Sequence, residues 1–107
     1  MSNPYILTIN NTDKNRWNCV LFARSLVKSL PFGLWNIKDK RKIINTHKPQ
    51  HGDIAIINVG MPWGHVAYVE KVGKWHITIT EANFKFGKIT ERHDTEKNLK
   101  ILGYYQP

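Results

Sequence analysis

From residue 49 onward the apolar residues arrive in short runs broken by glycine, proline and charged turns, a spacing that suits antiparallel strands and no long helix. Ile54-Ala55-Ile56-Ile57 is an apolar run short enough to be a strand buried on both faces. Strands are predicted over 65–70 and 75–83 with a turn around Gly73 between them, and two more over 88–92 and 99–105. Gly60-Met61-Pro62-Trp63-Gly64 reads as a loop. Ahead of this region Cys19, Ala23, Leu26, Val27 and Leu30 fall at i, i+4, i+7, i+8 and i+11, the stripe of one helix over 17–30. Asn18 or Asn15 can cap its start, and Pro31 with Gly33 ends it. A short surface helix is expected within 36–47, anchored by Ile37, Ile43 and Ile44. A chain of 107 residues has room for one core. The expectation is therefore one α+β domain over 1–107, monomeric, with an N-terminal helix packed on an antiparallel sheet of about five strands.

The helix carries the one cysteine of the chain, which excludes an internal disulfide and any zinc site built on two thiolates. Cysteine is among the most buried residue types, so Cys19 alone reads as core filler. The hairpin after Gly64 reverses that reading. His65, Ala67 and Val69 share one face of their strand, and Ile77, Ile79, Glu81 and Asn83 share one face of the next. A three-residue turn, Val72-Gly73-Lys74, puts His65 opposite Glu81 with Asn83 on the diagonal, and a slip by two residues still leaves His65 near Glu81 or Asn83. A carboxylate fixes the tautomer of an imidazole, so Glu81 reads as the orienting group and His65 as the base. A thiol in the first turn of a helix is acidified by the helix N-terminus and by a nearby imidazolium, which makes Cys19 the nucleophile. The Cys19 N–H is the expected oxyanion donor, with Asn18 or Asn15 as a second.

With these residues in place the chain resembles a CHAP domain, the cysteine, histidine-dependent amidohydrolase/peptidase family with a papain-like fold. The resemblance runs through Asn18-Cys19-Val20-Leu21-Phe22-Ala23-Arg24, Pro49-Gln50-His51-Gly52-Asp53-Ile54-Ala55-Ile56-Ile57, Gly64-His65-Val66-Ala67-Tyr68-Val69, Thr80-Glu81-Ala82-Asn83 and the closing Leu102-Gly103-Tyr104-Tyr105-Gln106-Pro107. It implies hydrolysis of a peptidoglycan amide bond, between N-acetylmuramic acid and L-alanine or within the stem peptide and cross-bridge, and hence wall lysis. A phage endolysin is one context it admits. Carried over, the nucleophile is Cys19, the base His65, the orienting group Glu81 and the supporting polar residue Asn83. Some members carry an acidic calcium loop ahead of the nucleophile; here Asp13 is the one acidic residue among several asparagines, so no metal and no cofactor are expected.

The remaining candidates read more plainly. Trp63 is expected to wall the substrate cleft, with Gly64 and Asn18 beside it, whereas Trp17, Trp35 and Trp75 are assigned to the core or its edges. His47, His51, His76 and His93 are expected at the surface, and Asp53 in turn chemistry. The run 38–42 reads as a solvated face. Sixteen Lys and Arg against eight Asp and Glu give a formal net charge of +8, which favours a polyanionic partner: nucleic acid, an anionic membrane or anionic cell-wall polymer. No stretch approaches a membrane span and no signal peptide is evident, so a soluble cytosolic product acting on the wall after release or export is expected. Two readings from other classes stand beside the enzyme: a small basic nucleic-acid-binding module, for which no familiar motif is present, and a catalytically inactive wall-binding domain.

Overall fold

The structure is a computed structural model that describes residues 5–11 and 18–107. Asp13, Asn15 and Trp17 lie outside the described residues. Helix α1 (Cys19–Leu26) and helix α2 (Ile37–Lys42) precede strands β2 (Ile54–Ile57), β3 (His65–Val72), β4 (Ile77–Ala82) and β5 (Lys88–Asp94), a short helix α3 (Glu96–Leu99) and strand β6 (Ile101–Tyr105). A further strand, β1 (Tyr5–Asn11), comes first in the chain. All pairings are antiparallel, in the order β1-β5-β4-β3-β2-β6. The five expected strands are present; β1, Tyr5-Ile6-Leu7-Thr8-Ile9-Asn10-Asn11, joins them at the edge beside β5 as a sixth that was not expected.

Both faces of the central strands are covered. Ile54, Ile56 and Val66 pack with Ala23 and Val27 of the α1 segment and with Leu30 and Leu34 beyond it. Ala55, Ile57, Ala67, Val69, Ile77 and Ile79 form the second cluster with Leu99 and Tyr104. Two-sided burial explains why β2 and β4 are buried at every position despite the alternation of β4.

Helix α1 begins where expected and ends sooner. Asn18 accepts the Leu21 N–H at 2.8 Å and so caps the start. The chain leaves the helix at Val27, four residues before Pro31, and Arg24 donates to the Leu30 and Pro31 carbonyls beyond it. Val27 and Leu30 are still buried, but Leu26 is exposed, because the buried stripe is centred on Ala23 and Leu26 falls at its edge. Helix α2 opens on a capping box: Asn36 accepts from the Asp39 N–H at 2.7 Å and Asp39 accepts from the Asn36 N–H.

The β3–β4 hairpin closes through four residues, with the Gly73 N–H donating to His76 O, and carries a bulge between Val69 and Lys71. Val69 therefore faces Ile79 instead of Ile77, a shift of two residues from the expected register. A shift of two preserves every face, so His65 and Glu81 still share one. Trp75 falls in the turn and Trp35 in the loop before α2, and both are largely exposed, which corrects their assignment to the core or its edges. His47, His51, His76 and His93 are exposed. Asp53 is buried and accepts from the Gln50 N–H, which is the expected turn chemistry.

Candidate active site

Cys19 is the first residue of α1, half-buried, and packed beside the cluster on the helix side of the sheet. Its thiol meets two groups from the start of β3: the His65 side chain and the Val66 N–H. The segment that delivers His65 is fixed from behind. Pro62 O accepts from the Ile37 N–H at 2.7 Å, tying the loop to the first turn of α2. Gly64 then passes so close to Ile37 that a Cβ would lie 2.6 Å from its Cδ1 and 3.2 Å from its Cα, and its φ of +65° is one that glycine adopts without strain.

His65 and Glu81 are 5 % and 0 % exposed. His65 Nε2 lies 2.9 Å from Glu81 Oε1. An ionised carboxylate only accepts, so Nε2 carries the proton and Nδ1 is left to face the thiol. Arg92, from β5, donates from Nε to Oε2 and from Nη2 to Oε1, each at 2.8 Å. Phe84 lies over this pair, its ring centre 3.6 Å from the Arg92 guanidinium carbon and 6.3 Å from the imidazole.

The ionised forms of this row would alternate in sign: thiolate, imidazolium, carboxylate, guanidinium. Burial pushes the Cys19 thiol up, but the hydrogen bond and charge of His65, the Val66 N–H and the charge of Lys40 together bring it below its ordinary value. Burial pushes His65 down, and its bonds to Cys19 and Glu81 override that and raise it to about 9. Glu81 is driven up by burial and held down, on balance, by His65 and Arg92. The two shifts run in opposite directions and both favour a thiolate beside an imidazolium, the two groups titrating as a unit.

Two clefts meet at Cys19. The larger, about 450 Å³, runs along α1 and is walled by Phe32, Leu34, Trp35 and Trp63; the smaller, about 350 Å³, contains His65, Asn83, Phe84 and Val59. Asn18, Cys19, Trp63 and Gly64 line both. The structure thus brings together Cys19, His65, Glu81, Asn83, Asn18, Trp63 and Gly64. Asn83 arrives differently from the other polar residues. It adopts a left-handed φ of 61° and accepts from the Gly87 N–H at 2.8 Å, so it shapes the turn that carries Phe84, while the carboxylate on His65 is that of Glu81.

Sequence reasoning missed Arg92, Phe84 and Lys40. Arg92 sits opposite Ile79 on β5, on the face that carries Glu81, and a charge on an inward face is the signal that could have found it. Lys40 corrects the reading of 38–42 as a solvated face: it is 3 % exposed, because its ammonium is drawn in by two carbonyl groups. Among the described residues no group of three or more His, Cys, Asp or Glu is placed to hold a metal ion, and no helix is long and apolar enough to cross a membrane.

No curated protein and no solved structure matches the chain. Among protein families, CHAP domain matches residues 10–83, a span that reaches from ahead of the cysteine through the histidine and the glutamate to Asn83. The thiol at a helix start, the imidazole at a strand start and the carboxylate behind it all lie inside that match, so the chain belongs to the CHAP domain family, whose general activity is amidase- or peptidase-type hydrolysis of peptidoglycan.

Proposed function

We propose that this chain cuts a peptidoglycan amide bond, between N-acetylmuramic acid and L-alanine or within the peptide, by a thiol mechanism, and so lyses bacterial walls. The supporting observation is the unbroken row Cys19, His65, Glu81, Arg92 running from the junction of the two clefts into the sheet. The Cys19 sulfur attacks the amide carbonyl carbon, forming a C–S bond and an oxyanion. The N–H groups at the start of α1 have no carbonyl within the helix to bond, and that of Cys19 serves in this reading as the oxyanion donor, with Asn18 beside it. His65, already protonated, donates to the leaving nitrogen as the C–N bond breaks, leaving a thioester. Water then gives its proton to His65 and attacks the thioester, releasing the acid and restoring the thiolate. His65 thus acts first as acid and then as base, a refinement of its expected role that follows from the raised imidazole.

Replacing Cys19 by Ser or Ala tests this directly. Turbidity loss of purified cell walls should disappear, and mass spectrometry of muropeptides released by the unaltered chain should show which new terminus is made. Undiminished lysis by the Cys19→Ala variant would sink the mechanism.

A further inference from the structure

Lys40 lies at the centre of Lys38-Asp39-Lys40-Arg41-Lys42, yet it alone of that run is buried, at 3 % exposure. A buried ammonium costs several kcal/mol unless its protons are paired. Its Nζ donates to Leu34 O at 2.9 Å and to Trp63 O at 2.7 Å. These carbonyls come from two segments distant in sequence, and both segments line the larger cleft together with Cys19 and Lys40 itself.

We propose that Lys40 is a positioning residue for Cys19: its ammonium fastens the Leu34 and Trp63 segments to each other and presents to the sulfur a second positive charge besides that of His65. The inference rests on the reading of Cys19 as the nucleophile. A helix-surface lysine needs neither burial nor two main-chain acceptors, and the neighbouring cations of the run have neither. The coupling runs both ways. Lys40 lowers the thiol, and the thiolate raises Lys40 against the burial that lowers it. The other charged groups nearby have separate work: Asp39 raises Lys40 from its own helix, His65 faces the sulfur, and Arg24 is committed to the Leu30 and Pro31 carbonyls and to the Phe32 ring. Lys40 therefore links the shape of the cleft to the reactivity of the sulfur at its floor.

The test follows alkylation of Cys19 by iodoacetamide across pH, on the full chain, for the unaltered protein, Lys40→Met and Lys40→Arg. Lys40→Met should move the onset of alkylation upward by about one pH unit, as loss of one nearby opposite charge does. Lys40→Arg, which keeps the charge, should hold the low onset. A second measurement covers the case in which Lys40→Met does not fold. In Cys19→Ala, the NMR titration of the Lys40 side chain should shift downward by a matching amount, because coupling is reciprocal. An unmoved alkylation profile in folded Lys40→Met, or an unmoved Lys40 titration in Cys19→Ala, overturns the proposal. An ordinary thiol profile in the unaltered protein, with onset near about 8.5, would instead reject Cys19 as an activated nucleophile, so the two failures are distinguishable.

Discussion

Arg92 grips both carboxylate oxygens of Glu81, Nε–H to Oε2 and Nη2–H to Oε1 at 2.8 Å each, while Oε1 also receives the His65 proton at 2.9 Å. This bidentate pair holds the carboxylate plane still, and the carboxylate in turn holds the imidazole. Because Glu81 is fully buried, either cation alone would leave part of its charge poorly compensated.

Removing the guanidinium should therefore damage both stability and catalysis. Arg92→Met is expected to cost about 3 kcal/mol in urea unfolding, the order found when one partner of a buried ion pair is deleted. Glu81→Gln should lower the rate of wall hydrolysis by about 100-fold or more, since the imidazole loses the charge that orients it. In a double-mutant cycle the losses on unfolding should be well short of additive. Additive losses would show that the two side chains do not act as a pair.

The pH dependence follows from the same row. Hydrolysis of a soluble muropeptide should be lost as pH rises through about 9, where the raised His65 gives up its proton. On the acid side activity should persist below the ordinary thiol range, because Cys19 is lowered. Stability has its own signs. The raised His65 stabilises the fold fully below its unfolded value near about 6.5, and this contribution disappears as pH climbs through about 9. The lowered Glu81 stabilises it above an unfolded value near about 4.3, and loses effect as pH falls through its depressed folded value. A kcat/KM profile with a rising limb at the ordinary histidine value and a plateau above about 9 would contradict the thiolate–imidazolium pair.

Gly64 offers a steric test of how His65 is delivered. In Gly64→Ala the new methyl group would meet Ile37 at 2.6 Å with φ at +65°, whereas Gly52→Ala has φ at +93° but nothing within 4 Å. Gly52→Ala should cost about 1 kcal/mol, from backbone strain alone. Gly64→Ala should cost about 1–3 kcal/mol more through overpacking, and should slow hydrolysis by displacing the neighbouring imidazole. Combining Gly64→Ala with Ile37→Ala should recover part of the activity. Equal losses for the two glycines in thermal unfolding would remove the packing argument.

The formal charge of +8 gives a different kind of prediction. If basicity draws the enzyme to an anionic wall, lysis of intact walls should weaken as salt is raised toward 1 M, while cleavage of a small neutral muropeptide should change little. Equal salt sensitivity of the two substrates would leave the charge without a role in wall attraction.

What the sequence determined by itself was local or periodic. Asn18 caps the helix that starts at Cys19 because the acceptor and the donor lie three residues apart. His65 and Glu81 share a face because a strand alternates with period two, and that parity survived a register shift of two residues. The size of that shift was decided by the bulge between Val69 and Lys71 and by the four-residue turn, whose Gly73 to His76 closure has no unambiguous local signature. Only the tertiary structure set Arg92 on Glu81, since that contact depends on how β5 registers against β4, and only it buried Lys40, whose two acceptors lie 6 and 23 residues away. Short-range hydrogen bonds and strand parity are written in neighbouring residues; the pairing of a buried charge is written in the fold, where desolvation forces each such group to find a partner.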